Sequence, residues 1–404
     1  MLLSNKENKE LVTIGTKTLK ATARRCLRIA TLPVVLILLL LAKSVLPGRR
    51  VRIVVMDPRF FGHQSLEPEV FWNDMLTAKE SGSKDIWLCC LGKKSMATNP
   101  FLWKTVHRRL PTVPSWLTTD LEYWQDRMRL DYVSFLPASI YRLNFLTKRE
   151  PLLPKTPEMV ARREKILSEL SEPTRDYVVF TIRASHVSYD PDDPRNRKIS
   201  DFEPAMNELT RRGFNVVRVM SRTTEHLITD NKHILDWDVH SDGEPGDELA
   251  LLSGSKFVVS TTTGGDCLAL AYRKPVLYID SARPYLVFLA TEFSTFQIPR
   301  MVDVITGSDL SLKDLLERRL GWVGEPRHFE MAGVRIINSS SDEVSSYVVE
   351  YLDYLTSGPS REHSALDDEW RRLLMEYHGD EILMRHGEIR SRMLPSSQSM
   401  FIRN

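Results

Sequence analysis

Cysteine is scarce: four residues in 404, with no Cys-x-x-Cys pair. Cys89 and Cys90 are adjacent in an apolar run, while Cys26 and Cys267 stand apart. This excludes a disulfide framework and argues against a zinc or dithiol redox motif. Isolated thiols of this kind point to a reducing compartment. Charge of one sign is also lacking, with 55 Lys and Arg against 53 Asp and Glu and a formal net charge of +2. No strongly basic domain, RNP signature, zinc finger or helix-turn-helix pattern is present, so nothing indicates nucleic acid. There is no Gly-Lys-Ser/Thr phosphate loop, no G-x-G-x-x-G fingerprint and no G-x-S-x-G elbow. The nearest approach to an Asp-x-Asp metal motif, Asp190-Pro-Asp192-Asp193, carries a proline and reads as a solvated turn. That argues against a required Mg²⁺ ion. Internal repeats and low-complexity tracts are absent as well.

What is present is an ordinary globular composition, 42% hydrophobic and 27% charged, at a length that suggests two domains. Residues 1–28 form a basic polar amino terminus, with Lys6, Lys9, Lys17, Lys20, Arg24, Arg25 and Arg28. An uncharged, Leu-rich run follows over 29–42, is interrupted by Lys43 and extends weakly to 47; Arg49, Arg50 and Arg52 come next. Its clean core of 14 residues is shorter than the roughly 20 that a spanning helix needs. Four readings are open: a signal peptide, a single-span anchor with Lys43 snorkelling, a monotopic interfacial segment, and a buried soluble helix. Basic residues on both sides favour contact with anionic lipid and the monotopic reading.

Beyond 47 the pattern is α/β. A strand is expected over 50–56, a loop over 57–63, a helix over 67–81, a second strand over 85–91 and a helix over 101–110. The stretch 115–172 reads as mostly helical and charged. Strands over 177–182, 214–219, 257–260 and 275–279 then alternate with helices over 201–212, 247–253 and 267–273, the spacing of a parallel doubly wound sheet. Helices over 309–316 and 341–355 follow, and 358–404 is a charged tail with a helical stretch over 367–377. The expected organisation is a membrane-associated segment at 29–47, an α/β lobe at 48–172, a second at 173–357, and the tail.

Three constellations carry chemistry. The first is Ser260-Thr-Thr-Thr-Gly-Gly-Asp266, where a strand breaks into hydroxyls and glycines before an apolar helix. Thr261, Thr262 and Thr263 offer hydroxyls, and Gly264 and Gly265 permit close approach to the amides of a helix start, which favour an anion. The bland alternative is an ordinary tight βα turn capped by threonine. The second is Arg183, at the carboxyl end of the 177–182 strand, followed by a loop with His186, Tyr189, Asp190, Arg195 and Asn196. Arginine suits a diphosphate because its planar fork donates twice; the alternative is a solvated loop. Arg218, among valines in the next strand, is either half of a structural ion pair or a ligand contact. The third is Arg59 to His63, where Gly62 permits a sharp turn and His63 is either a general base or an exposed loop histidine. Cys267 has no obvious histidine partner for nucleophilic work.

In their order and spacing, these residues resemble a family of bacterial glycosyltransferases found with surface-polysaccharide (O-antigen type) biosynthesis. The resemblance rests on the apolar amino-terminal segment, the Arg59 to His63 turn, the Phe180-Thr-Ile-Arg183 unit, and the Arg195-Asn196 turn. It continues through Gly213-Phe-Asn-Val-Val-Arg218 and the Ser/Thr-Gly turn before Arg273-Lys-Pro-Val276. It spans roughly 50–300 and is best over 177–280. It implies two Rossmann-like lobes of GT-B type and a metal-independent transfer of sugar from a nucleotide-sugar to a glycan or lipid-linked acceptor. It further implies no cofactor beyond that donor, and a place on the cytoplasmic face of the membrane. Arg183, Arg195, Asn196, Arg218 and the Thr261 to Gly265 turn would hold the donor, and His63 would deprotonate the acceptor hydroxyl. Two positions depart from the pattern: three threonines and a second glycine replace Ser-Ser/Thr-Gly, and Ala184 stands where an acid is expected. A pyruvyl-type polysaccharide transferase and a non-catalytic membrane scaffold are the alternative functions.

Overall fold

The structure is a computed structural model that describes residues 48–115, 118, 133–137, 149–183, 193–220, 225–238, 243–282, 291, 293–320 and 326–358, with positions 33, 37, 44, 368, 372 and 376. The apolar segment at 29–47, the loop residues His186, Tyr189, Asp190 and Asp192, and most of the tail lie outside them. Pro33, Ile37 and Ser44 are helical and exposed, and Asp368, Arg372 and Glu376 are helical. Among the described residues no helix is long and apolar enough to cross a membrane.

The chain divides into two compact units. One comprises Met1–Met56, Met75–Lys93 and Leu110–Ala138; the other comprises Asp57–Asp74, Lys94–Arg109 and Ser139–Asn404. The first carries a parallel sheet of three strands, β1 (Val51–Val55), β2 (Ile86–Cys90) and β3 (Val133–Pro137), in the order β2-β1-β3. Ile53, Val54, Cys89 and Cys90 are buried in it, so the adjacent cysteines serve as small core hydrophobes. β3 falls in a stretch expected to be mostly helical. Pairing with β1 along its whole length overrides the weak local signal of a five-residue run.

A second departure concerns the helix α1 (Phe61–Glu80), which starts six residues before the expected position and runs through Pro68. Proline inside a helix removes one ladder hydrogen bond and normally breaks it. Here every residue from Gln64 to Phe71 is buried, and tertiary burial outweighs the local penalty. His63 is therefore a first-turn helical residue and not a loop residue.

The second unit is built on a parallel sheet of β4 (Tyr177–Thr181), β5 (Asn215–Met220), β6 (Ile234–Asp238), β7 (Val258–Ser260), β8 (Val276–Tyr278) and β9 (Thr295–Phe296). The spatial order is β6-β5-β4-β7-β8-β9. Strands β4, β7 and β8 are buried at every position, as expected for parallel strands covered on both faces. One covering layer is α4 (Glu203–Arg211) and α9 (Ser341–Ser357), whose Met206, Leu209, Val348 and Tyr351 join Phe180, Val216 and Leu277 in the main core. Each such side chain stabilises the fold by about 1.5–3 kcal/mol. The helix α9 begins with a reciprocal cap: Ser340 accepts from the Glu343 N–H, and Glu343 accepts from the Ser340 N–H. The helices α2 (Pro100–His107), α3 (Pro157–Leu167), α5 (Asp247–Gly254) and α6 (Gly264–Ala271) complete the unit, with a small antiparallel pair β10 (Arg300–Asp303) and β11 (Val334–Ile337) and two one-turn helices, α7 (Leu312–Glu317) and α8 (Pro326–Met331).

The strand order fixes where a ligand can sit. From β4 the chain moves to β5 and β6 on one side, then returns to lay β7, β8 and β9 on the other. The reversal puts the switch point beyond the carboxyl ends of β4 and β7, where open α/β sheets form their ligand crevice.

Candidate functional site

The carboxyl end of β7 runs into Thr261, which is buried, then Thr262 and Thr263, and α6 begins at Gly264. Thr263 is the N-cap, its hydroxyl accepting from the Gly265 N–H at 3.1 Å. Ser260 ties the turn from within: its Oγ accepts from the Thr263 N–H and donates to Asp266 Oδ2, each at 3.3 Å. Thr262 has φ +61°, left-handed backbone that a β-branched residue adopts only under strain. The geometry therefore goes beyond a routine capped turn. Gly265 is required by the neighbouring strand, since a Cβ there would stand 2.7 Å from Cγ2 of Thr181. Thr181 is itself buried, and among the described residues its hydroxyl oxygen has no hydrogen-bond partner.

Arg183 lies two residues beyond β4, and its N–H donates to the Thr261 hydroxyl at 2.8 Å, locking the ends of the two central strands together. Its guanidinium is mostly covered and lies 3.3 Å from Asp193. Arg195 grips the same carboxylate through Nε at 2.9 Å and Nη2 at 2.6 Å. Asp193 is buried and ion-paired, whereas the sequence suggested a solvated turn. Burial pushes its carboxyl up, but the hydrogen bonds from Arg195 and the charge of Arg183 outweigh this and hold it below the usual carboxylate range. The backbone N–H of Asn196 closes the turn onto the Asp193 carbonyl at 2.9 Å, and the Arg197 N–H returns to the Arg183 carbonyl at 2.8 Å. Arg183, Arg195 and Asn196 thus form one folded loop at the switch point. Arg218 does not join it. Its side chain is fully buried within β5, and Nη1 lies 2.8 Å from Asp236 Oδ1 on β6.

The first turn of α1 meets the same crevice edge. A Cβ on Gly62 would stand 3.0 Å from Cys267 Sγ, and one on Gly264 would stand 3.1 Å from the Gly62 nitrogen. Two helix starts therefore abut through a pair of glycines, and His63 follows immediately. Its Nδ1 lies 2.6 Å from Glu67 Oε1, one helical turn on. The second oxygen of Glu67 accepts from the Asp57 N–H at 3.0 Å, and Asp57 in turn receives the Arg59 N–H and guanidinium. Glu67 is buried, while the His63 side chain is 41% exposed. The hydrogen bond to Glu67 raises the His63 pKa above its ordinary value; burial opposes the rise, and the charges of Glu67 and Asp57 add to it. With Nδ1 facing a carboxylate, the proton sits there and Nε2 is left as the basic nitrogen. Cys267 offers no alternative nucleophile, because burial pushes its thiol well above its usual value.

Glu67 was not legible as a site residue. Its i, i+4 relation to His63 is the available signal, and it holds only when the helix begins at Phe61. Asp266, fully buried in the first turn of α6, was also passed over; burial pushes its carboxyl up to about 7, against the hydrogen bonds of Cys267, Ser260 and Thr263. All these residues belong to the second unit.

No protein-family model matches the chain, and no curated protein sequence does. Among solved structures, the chain is similar to the ADP-heptose lipopolysaccharide heptosyltransferase II of E. coli, at 13% identity and a TM-score of 0.40, over 74% of this chain and 99% of that one. A family 9 glycosyltransferase of Veillonella parvula shows 11% identity and a TM-score of 0.40, over 75% and 97% of the two chains. The iron-containing dodecameric glycosyltransferase TibC of enterotoxigenic E. coli shows 12% identity and a TM-score of 0.38, over 76% and 77%.

Proposed function

We propose that the protein is a GT-B-like, metal-independent glycosyltransferase, moving a sugar from a nucleotide-sugar to a lipid-linked or polysaccharide acceptor in cell-surface glycan synthesis. The observation that carries this reading is the convergence of Arg183, the strained Thr261 to Gly265 turn and His63 at the switch point of the six-stranded sheet. In the proposed reaction the donor diphosphate lies at the start of α6, where amides, hydroxyls and the guanidinium of Arg183 meet developing negative charge. His63 Nε2 takes the acceptor hydroxyl proton, and Glu67 stabilises the imidazolium that forms. The acceptor oxygen bonds to the anomeric carbon as the bond from that carbon to the donor phosphate breaks, and the nucleoside diphosphate leaves with the electron pair. Arg195 and Asn196 act by shaping the Arg183 loop. Residues 173–357 hold the donor in this scheme, and 48–172 supply the acceptor side. The apolar run at 29–47, with basic residues on both flanks, supports a working position on the cytoplasmic face of the membrane, as a monotopic or single-pass protein.

The test is thermal unfolding of the full chain with a panel of nucleotide-sugars. One donor should raise the midpoint, and Arg183→Ala should abolish that shift while leaving the unliganded midpoint within a few degrees. A panel that produces no shift removes the nucleotide-sugar from the proposal.

A further inference from the structure

In a parallel sheet all amino ends share one edge, so the residues that precede β4, β7 and β8 gather opposite the crevice just described. Those residues are Asp176, Lys256 and Lys274. The ladder confirms the placement: the Lys256 N–H donates to the Tyr177 carbonyl at 2.8 Å, and the Val258 N–H donates to the Pro275 carbonyl at 2.9 Å. Two more cations come from α3 and its approach, Arg163 and Lys155. Arg163 lies flat over the carboxyl end of α5, where a Cβ on Gly254 would stand 2.5 Å from its Nη1 and 2.6 Å from its Cδ. Lys155, Arg163 and Lys256 all act electrostatically on Lys274, and Asp176 acts on it in the opposite sense. Asp176 is already 3.3 Å from Lys256 Nζ, and both side chains are more than half exposed. Among the described residues, Lys155, Arg163 and Lys274 make no ion pair.

We propose that Lys155, Arg163, Lys256 and Lys274 form a second anion site, for a phosphate-type group, on the sheet edge opposite the candidate active site. Cations gathered at one sheet edge, with only Lys256 paired to Asp176 there, repel one another, and an anion of charge near −2 would relieve this. An arginine fork with several ammonium groups matches phosphate oxygens in number and charge. Burial, and after it the charges of Lys155, Arg163 and Lys256, push half-buried Lys274 down to about 8, in keeping with a site short of negative charge. The phosphate can come from a soluble ion or from the headgroup of an anionic phospholipid.

The experiment titrates the full chain with inorganic pyrophosphate, following thermal unfolding, and measures cosedimentation with phosphatidylglycerol and phosphatidylcholine vesicles. Arg183→Ala serves as the background, since it silences the candidate donor site. On that background pyrophosphate should still raise the midpoint, and Arg163→Gln/Lys274→Gln should cut the shift by at least half. The exposed pair Lys155→Gln/Lys256→Gln, which leaves the core untouched, should weaken it in the same direction. A loss of phosphatidylglycerol cosedimentation in the cluster variants, with no pyrophosphate response, supports the site and assigns it to a headgroup. Phosphatidylglycerol cosedimentation that both cluster variants leave unchanged, with a pyrophosphate shift that is absent on the Arg183→Ala background or equally indifferent to those variants, overturns it.

Discussion

The Nδ1 atom of His63 lies 2.6 Å from Oε1 of Glu67, a carboxylate whose other oxygen is held by the Asp57 N–H. The raised pKa of His63 means that its base form appears only above the ordinary histidine range. Activity should therefore rise with pH through that raised pKa. Glu67→Gln keeps the shape and removes the charge, so the ascending limb of kcat/KM against pH should move to lower pH while the plateau falls about 10²-fold or more. His63→Gln should remove the limb. A limb that stays in place in Glu67→Gln would separate Glu67 from the titrating group. The same shift has a stability consequence. The contribution of His63 is present below its unfolded pKa and is lost as pH rises through the folded one.

Gly62 and Gly264 hold two helix starts against each other, and a methyl group at either would force its neighbour to shift. Overpacking of this kind costs about 1–3 kcal/mol. Gly62→Ala should lower the unfolding midpoint, and Cys267→Ala in the same chain should restore most of the loss, because Cys267 Sγ is the atom met at 3.0 Å. Gly264→Ala meets Phe61 Cβ and the Gly62 nitrogen, which cannot be trimmed, so Cys267→Ala should not rescue it. A double-mutant cycle by denaturant unfolding distinguishes the two.

How far these relations could be read beforehand depends on their range. The runs YVVFT, VVS and VLY announce buried strands, and their alternation with helices announces the parallel sheet. The end of β4 and the turn after β7 could then be singled out, because ligand sites follow strand ends. β3 could not, since a five-residue strand needs its partner to be distinguishable. The start of α1 was hidden by Pro68 and by a first turn without acidic residues. With it went the spacing that joins His63 to Glu67. The partner of Arg218 is Asp236, directly opposite it in the β5–β6 register. That relation exists only once the sheet is assembled.

Glu69 is wholly buried in α1 and pairs with Arg273 Nη2 at 3.0 Å, while its other oxygen accepts from the Leu152 N–H at 2.8 Å. Burial pushes the Glu69 carboxyl up, against the charge of Arg273. Removing Arg273 alone strands that carboxyl, so Arg273→Met should cost about 3–5 kcal/mol. Adding Glu69→Gln should recover part of this, since the amide oxygen can still accept from Leu152. Urea midpoints of the three variants give the coupling.

Two further carboxyls are fully enclosed, and burial pushes both Glu248 and Asp266 up to about 7. A folded pKa above the unfolded value near 4 means stability that is complete in acid and lost as pH rises from about 4 through 7. Unfolding free energy measured from pH 5 to 8 should fall less steeply in Glu248→Gln and in Asp266→Asn than in the parent. At pH 8 each variant should be the more stable protein, by about 1–3 kcal/mol. Asp266→Asn also tests whether charge at the start of α6 matters to the ligand, because a carboxylate there opposes an incoming anion. Donor affinity should weaken with rising pH in the parent and stay flatter in the variant.

Thr262 separates stability from function at the same turn. Its left-handed backbone costs about 1–3 kcal/mol for a β-branched residue, and glycine adopts it freely. Thr262→Gly should therefore raise the unfolding midpoint if the turn is only a connection, and donor binding should then be unaffected. If the strain is retained to aim the hydroxyl at the donor, the midpoint should rise by a few degrees while the donor-induced shift shrinks several-fold. Thr263→Ala is the contrast, since it removes the cap on the Gly265 N–H and should lower the midpoint by an amount corresponding to about 1 kcal/mol. Opposite signs on stability from adjacent threonines, with a common loss of donor binding, would mark the turn as a strained anion seat.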